Sequence, residues 1–373
     1  MKKNNLFIAM ILFGLVGLMS CQQDTFESSS TEQLSPQLPS APFTYPKYLS
    51  ELTSAGHVPN FGGQNINVTD LGAQLGRVLF YDPQLSLNNR IACASCHHQA
   101  LGFAESKPMS MGFAGKMTSR NSMAIVNIAG NNNLFWDSRT SSLTELALMP
   151  IRDHVEMGME AEGALSSKLS KIKYYPELFR KAFGNETITE ERIALALAQF
   201  MASMVSFNSK FDKGIKNEFA EFTPLEKMGK ELFFSAKTQC SSCHAGPDFS
   251  APDFPRGPYS SPTVAGTANI GLDLVYKDNG KRDGQFKIPS LRNIALTAPY
   301  MHDGRFKTLM EVIEHYDNKV VPHHNLDGKL RAGTQAKRLG LNPVEKQALV
   351  AFLMTLTDQQ FVNDQRYSSP FKH

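Results

Sequence analysis

Cysteine is scarce in this chain of 373 residues, and its placement carries the first message: four of five cysteines, Cys93, Cys96, Cys240 and Cys243, fall in two short motifs, and Cys21 stands apart. An excess of charge of one sign is also missing. The 38 basic and 35 acidic residues leave +3. Residues 1–20 carry two lysines and no acid, so without them the net charge is +1. That argues against a nucleic-acid partner, which normally needs a basic patch. Beyond residue 20 no apolar run is long enough to span a bilayer, and few stretches alternate as strands do. Tryptophan occurs once, as Trp136.

What is present centres on the cysteines. Cys93 to His97 reads CASCH and Cys240 to His244 reads CSSCH, two copies of C-x-x-C-H. In this motif both thiols add across haem vinyl groups and the adjacent histidine ligates the iron. A thioredoxin-like redox pair and half of a zinc site are the competing readings. A four-thiolate site built from both pairs would leave His97 and His244 unexplained. The spacing therefore predicts two covalently bound c-type haems, held by Cys93, Cys96 and His97 and by Cys240, Cys243 and His244.

The N-terminus points to export. Lys2 and Lys3 precede LFIAMILFGLVGLMS and then Cys21, a basic start, an apolar stretch and small residues before a cleavage point. The apolar stretch is short for a span of about 20 residues, and LMSC resembles a bacterial lipobox. Residues 1–20 are expected to be a lipoprotein signal peptide and Cys21 the lipidated first residue of a protein on the periplasmic side, at the outer membrane. Lipidation leaves no spare thiol, so no structural disulfide is expected. Residues 21–64 form the lipidated N-terminus and a tether; their Ser, Gln and Pro show little apolar periodicity.

The body divides by an internal duplication. Val126 to Glu145 aligns without gaps on Arg292 to Glu311, with seven of twenty positions identical, among them Asp137/Asp303 and Arg139/Arg305. LGRVLFYD before the first motif echoes MGKELFFS before the second. Each half reads as an apolar helix, C-x-x-C-H, a long loop, an N-I-A turn and a further helix. The expected fold is mainly α, with two cytochrome c-like domains at 65–215 and 216–373, each wrapped around one haem. The stretch from Thr189 to Asp212 has an apolar face at helical spacing, with Thr187 and Glu190 as its capping box, and is expected to pack against both halves. Pro343 opens a helix that turns Leu349, Phe352 and Leu353 inward.

Six residues outside the motifs invite chemistry. Trp136 is either core packing or an electron relay between the haems. Glu156, in PIRDHVEMGM, is either a solvated carboxylate or a general acid–base for bound hydrogen peroxide. His302 stands at the repeat position of Trp136 and is open to three readings: distal ligand, hydrogen-bonding residue or structural histidine. Tyr316 offers a phenolate ligand or packs on a ring edge. Met301 and His315 compete with it as axial ligands.

Taken in order, CASCH, RNSMAIVN, LFWDSR, PIRDHVEMG, CSSCH and IPSLRNIALTAPYMHDGRF resemble the bacterial di-haem cytochrome c peroxidases and their MauG branch over nearly all of 65–365. The resemblance implies that the N-terminal haem activates peroxide and the C-terminal haem handles electrons. It implies catalytic roles for Glu156 and Trp136, and calcium held by Asn121, Thr297 and Pro299. A glutamine found in some members ten residues before the glutamate is here Leu146. Two departures matter more. Phe113 replaces a removable histidine ligand of the peroxide haem, with Met109 and Met111 as weaker substitutes, so that haem is expected to be open. Tyr316 replaces the methionine ligand of the second haem, as in the MauG branch, and should lower its potential. The implied function is reduction of hydrogen peroxide to water with electrons from a small cytochrome or other periplasmic donor, oxidising charge being shared between the haems. MauG-like oxidation of a partner protein or organic substrate is the alternative, and a non-enzymatic electron-transfer lipoprotein is the alternative of another class. A homodimer is compatible with either.

Overall fold

The computed structural model describes residues 66–250, 266–278 and 283–371. The signal peptide expected at 1–20, the lipidation expected at Cys21 and the tether expected at 21–64 all lie outside the described residues.

Ten helices occur among the described residues. The first half holds α1 (Asp70–Tyr81), α2 (Leu143–Arg152), α3 (Ala164–Leu169), α4 (Tyr175–Phe183) and α5 (Glu190–Ser203). The second holds α6 (Lys210–Lys216), α7 (Pro224–Phe234), α8 (Leu309–Glu314), α9 (Pro343–Met354) and α10 (Gln359–Val362). Strand is confined to two short antiparallel pairs, β1 (Thr267–Ala268) with β2 (Phe286–Lys287) and β3 (Arg331–Ala332) with β4 (Gln335–Ala336). No helix among the described residues is long and apolar enough to cross a membrane.

The helix boundaries follow local chemistry. Thr223, Thr308 and Asn342 each cap a helix and receive a carboxylate from the third helical position in return. The expected cap of α5 is corrected: Thr189, not Thr187, accepts the Arg192 N–H. The apolar stretch through Asp212 is also not one helix. It breaks after Ser203 and restarts at Lys210, where Ser209 and Asp212 form a capping box of their own. A box at Ser209 satisfies the N–H groups of a new helix start, so periodicity alone runs through a break it cannot detect. The α5 helix packs on α1 and α2, and the far C-terminus reaches it where Tyr367 donates to the Ser203 carbonyl at 2.5 Å.

The repeat is visible atom by atom. Asn127 and Asn293 both take left-handed backbone, φ 56° and 60°, and open short 3₁₀ turns at Ile128–Gly130 and Ile294–Leu296. Leu134 bridges Thr140 as Tyr300 bridges Phe306, and Ser142 and Thr308 cap the next helices. Each half also has one close helix crossing. A Cβ on Gly76 of α1 would lie 1.9 Å from the Ala196 carbonyl oxygen of α5, and one on Gly229 of α7 would lie 1.8 Å from that of Ala348 in α9. Glycine lets the backbones touch, and the aromatic core closes around each contact: Phe80, Phe103 and Phe200 in one half, Phe233, Phe249 and Phe352 in the other.

Side-chain amides of the repeat tie the halves together. Asn127 donates to Asp248 at 3.0 Å, and Asn293 donates to the Ser206 hydroxyl at 3.0 Å. The C-terminal tail adds a strap, with the Arg77 Nε donating to the Ser368 carbonyl at 2.5 Å and Tyr81 to the Tyr367 carbonyl at 2.6 Å.

Substituting Gly76→Ala or Gly229→Ala should force the helix pair apart and cost about 3 kcal/mol, an overpacking penalty at the upper end of the usual range. Gly328→Ala, where a Cβ meets nothing within 4 Å, should stay within about 0.5 kcal/mol. Urea denaturation of the three variants checks this; equal midpoints would refute the close-contact account.

Candidate active site

Both C-x-x-C-H motifs begin with a single 3₁₀ turn, Cys93–Ser95 and Cys240–Ser242, that brings the two thiols and the histidine together. The chain then folds back. The Nδ1–H of His97 donates to the Phe103 carbonyl at 2.9 Å, and that of His244 to the Phe249 carbonyl at 2.9 Å. Phe103 and Phe249 present those carbonyls from left-handed backbone, φ 60° and 51°. With Nδ1 committed as donor, Nε2 keeps its lone pair, the form needed to ligate a metal. Burial lowers the pKa of both imidazoles and so favours the neutral ring. It also pushes Cys93 up to about 12 and Cys240 up to about 11. These are neutral thiols, and a thioether link adds no charge to bury. The donor set fits a covalently held haem in each half.

The first motif lies beside a carboxyl. Glu156 sits half-buried in the turn after α2, its N–H donating to Asp153 Oδ1 at 3.0 Å. Burial, reinforced by Asp153 and opposed by Arg139, raises its pKa to about 7. It is close enough to Cys93 and Cys96 to raise both thiols. The loop carrying Phe113 closes on this turn: the Phe113 N–H donates to the Glu156 carbonyl at 2.9 Å. Two glycines permit the approach. A Cβ on Gly112 would lie 1.7 Å from the Val155 oxygen, and one on Gly158 would lie 2.6 Å from the Phe113 ring. Phe113 is thus packed on Gly158. Met109 is half-buried and Met111 is exposed, paired across a bridge with exposed Met117. Leu146 is buried in the core of α2.

The second motif faces a cavity of about 240 Å³ whose wall includes His244, Tyr316, Met301, His302 and Trp136. Tyr316 lies in a π-helical turn, His315–Lys319, that continues α8. Burial, with the Cys243 and Cys240 thiols beside it, pushes its phenol above the usual range. An uncompensated phenolate is therefore disfavoured, and a ferric ion is the kind of partner that would displace its proton. His315 is not brought to the cavity wall; its Nε2–H donates to the Ile270 carbonyl at 2.9 Å. Met301 does reach the wall.

Trp136 and His302, the repeat-related pair, meet through Asn121. The indole N–H donates to the Asn121 carbonyl at 2.9 Å, and the Asn121 N–H donates to the His302 carbonyl at 2.8 Å. The His302 ring stacks on Phe286 at 3.7 Å, and its buried Nδ1 has no partner in the protein. Thr297 and Pro299 line the same cavity as Asn121. The Asn121 Nδ2 donates to the Lys107 carbonyl at 2.9 Å, which turns its oxygen away from that bond. Oxygen donors of this type suit a hard cation such as calcium.

Two residues beside this site escaped the sequence reading. Arg120 pairs with Asp137 at 2.7 Å and with Asp278, bracing the Trp136 segment; its position directly before Asn121 was the available signal. Asp248 is buried, and its carboxyl is pushed up to about 6 by burial. Nothing in a single D-F dipeptide foretells that.

Comparison with known proteins now separates the possibilities. A family model described as di-haem cytochrome c peroxidase matches residues 71–220. The cytochrome c551 peroxidase of Nitrosomonas europaea is 32% identical over 288 residues, covering 77% of this chain and 80% of the relative. The chain belongs to the di-haem cytochrome c peroxidase family. The methylamine utilization protein MauG of Methylophilus methylotrophus is 29% identical over 76% of this chain and 82% of its own. Among solved structures, a MauG-like protein associated with microbial copper homeostasis superposes with a TM-score of 0.72 at 30% identity, covering 84% of this chain and 98% of that one. The mainly helical di-haem peroxidase fold and peroxidase-type redox chemistry follow from this membership.

The raised Glu156 carboxyl has a thermodynamic consequence. A carboxyl whose folded value lies above its ordinary 4.5 binds more protons folded than unfolded, so stability falls as pH rises from about 4.5 to about 7. Glu156→Gln should remove this loss and stabilise the protein by up to about 2 kcal/mol at pH 8, with little change at pH 4. Urea melts at the two pH values test it; an equal effect at both would refute the assignment.

Proposed function

We propose that this protein is a di-haem peroxidase that reduces hydrogen peroxide to water at its N-terminal haem, with electrons supplied from outside through the C-terminal haem. The observation that carries the reading is the Glu156 carboxyl beside the first motif, tuned to about 7 by burial, with Phe113 in place of a removable ligand and packed on Gly158. Cys93, Cys96 and His97 would hold haem c, which would supply an iron able to bind and reduce peroxide.

The chain's own residues move the protons. The Glu156 carboxylate takes a proton from one peroxide oxygen and returns it to the other, which leaves as water. Over the cycle one peroxide, two electrons and two protons give two waters. A carboxyl with a pKa near the working pH can do both halves of this transfer. Trp136, anchored by its N–H to Asn121, relays charge between the two sites. Tyr316, with His244, holds the second haem; a phenolate oxygen favours higher oxidation states more than a methionine sulfur does. Asn121, with Thr297 and Pro299, would hold a calcium ion and so steady the segment bearing Trp136.

Domains at 65–215 and 216–373 divide these roles. The donor is a small cytochrome or another periplasmic reductant, and Cys21 anchors the protein by lipid at the outer membrane. The second reading, oxidation of a partner protein or organic substrate as in a MauG-like enzyme, is favoured by one observation: Tyr316, at the position where the classical members carry methionine, lines the cavity of the second motif beside Met301.

Glu156→Gln should slow the reaction with peroxide by about 10²–10³, and the rate in the native protein should rise with pH through about 7. Stopped-flow spectra across pH check both, and unchanged kinetics would reject the acid–base role. Tyr316→Met should raise the midpoint potential of the second haem and Tyr316→Phe should leave that iron five-coordinate. Redox titration with coordination spectra reads both; no spectral change in either variant would exclude tyrosine ligation.

A further inference from the structure

Away from the two haem motifs, the first half contains a paired phenol site. The hydroxyls of Tyr174 and Tyr175 both donate to one oxygen, Oδ2 of Asp82, at 2.5 and 2.6 Å. Their rings lie 4.7 Å apart. Asp82 and Tyr175 are fully buried, while Tyr174 is half-exposed. The other Asp82 oxygen accepts the Gln84 N–H at 2.8 Å, so the carboxylate is held with Oδ2 facing the two phenols.

This acceptor sets the pair apart from the other described tyrosines. Tyr81, Tyr300 and Tyr367 donate to backbone carbonyls, and Tyr276 donates to the side-chain oxygen of Asn269. A carboxylate is a much stronger base than any of those oxygens, so it can take a phenol proton as the electron leaves. A tyrosine gives up an electron readily only if its hydroxyl proton leaves with it, because the phenol radical cation is a very strong acid. Burial and the Asp82 charge raise both phenols, so each is a neutral O–H until oxidised.

The pair is also joined to the first haem motif by aromatic packing. The Phe80 ring lies 6.4 Å from the His97 ring and 5.4 Å from that of Tyr81, and Asp82 is the next residue. The path runs along the last turn of α1 from the proximal histidine to the shared carboxylate.

We propose that Tyr174, Tyr175 and Asp82 form a one-electron oxidation site through which the first half can be reduced by a small organic hydrogen-atom donor, such as a hydroquinone, at the surface. In the step, Tyr175 passes one electron to the peroxide-oxidised protein and its hydroxyl proton to Asp82 Oδ2, leaving a neutral tyrosyl radical. The radical moves outward by exchange with Tyr174, whose hydroxyl shares the same acceptor. A hydroquinone at Tyr174 then returns an electron and a proton and leaves as a neutral semiquinone, and Asp82 gives its proton up to solvent before the next turnover, so each cycle releases one proton per electron delivered. Two such turnovers supply the two electrons that one peroxide consumes. The idea rests on the peroxidase reading for its oxidant, but the site can be tested without it.

The holoprotein is oxidised in two ways, by hydrogen peroxide and by a photogenerated ruthenium(III) complex, and frozen for electron paramagnetic resonance. A tyrosyl signal that narrows on ring deuteration of tyrosine is expected from both oxidants. It should be lost in Tyr175→Phe and in Asp82→Asn, and should shorten its lifetime with hydroquinone in the native protein but not in Tyr174→Phe. These variants keep ring packing or an acceptor oxygen, and circular dichroism melts verify that they fold. If peroxide leaves the haem spectra unchanged, the peroxidase reading fails while the ruthenium arm still decides the site. A tyrosyl signal of equal yield in Tyr175→Phe and Asp82→Asn, or none from the ruthenium arm in the native protein, overturns the proposal.

Discussion

Everything chemical in this molecule depends on where two imidazole N–H bonds point. His97 and His244 each spend Nδ1 on the carbonyl of a phenylalanine a few residues on, and each phenylalanine can offer that carbonyl only by accepting a left-handed backbone. A non-glycine residue there costs of order 1 kcal/mol. The aromatic core offsets it, since Phe103 and Phe249 are buried against Phe80 and Phe233. The same side chains therefore close the hydrophobic core and fix the tautomer that leaves Nε2 free for iron. Core packing and ligand orientation are one constraint, imposed twice by duplication.

The duplication explains what the halves share, and the departures from it explain how they differ. Repeat positions agree in backbone: left-handed Asn127 and Asn293, the bridges after them, the capped helices and the glycine-mediated helix crossings. They diverge in the side chains that face each motif. The first half places a half-buried carboxyl beside the thiols; the second places a tyrosine in a π-turn. At the repeat position where the first half has Trp136 the second has His302, and both converge on Asn121. Asymmetry in chemistry is thus laid over a symmetric frame without altering the frame.

Much of this was legible in the amino-acid order, and the exceptions have a common cause. The thiols, the histidines, the apolar faces of α1, α7 and α9 and the helix start at Pro343 announce themselves through short-range spacing. Membership in the di-haem peroxidase family was readable from the order of motifs, and comparison with relatives bears it out. The restart of helix at Lys210 was not readable, because residues 204–209 continue the apolar pattern while their backbone groups turn to partners far away in sequence, as Ser206 does to Asn127. The π-turn at Tyr316 was hidden for a similar reason. Within that turn Asp317 is buried and accepts from the Leu341 N–H and pairs with Lys346, partners too distant in sequence for periodicity to register. The burial that tunes Glu156 depends on Gly112 and Gly158 letting a distant loop close over it.

That last dependence says why the glycines and the carboxyl belong to one device. Under the proposed function, a haem open to peroxide would need a partly desolvated carboxyl near it and no side chain bound to the iron, and a loop would have to supply the first without imposing the second. A loop held only by its side chains would need bulk on its inner face, and bulk there competes for the space peroxide must enter. Here the backbone does the holding instead. The Phe113 N–H donates to the Glu156 carbonyl and the Asn88 amide donates to the Phe113 carbonyl at 2.6 Å, while the Phe113 ring is drawn onto Gly158. A histidine at 113 would be free to prefer a metal over that glycine surface, because a ligand bond outweighs a ring contact. Phenylalanine has no such alternative. In the proposed peroxidase, an apolar ring at 113 would stand where a gate would otherwise have to open, in a loop that closes on the turn carrying Glu156, whose carboxyl burial raises to about 7.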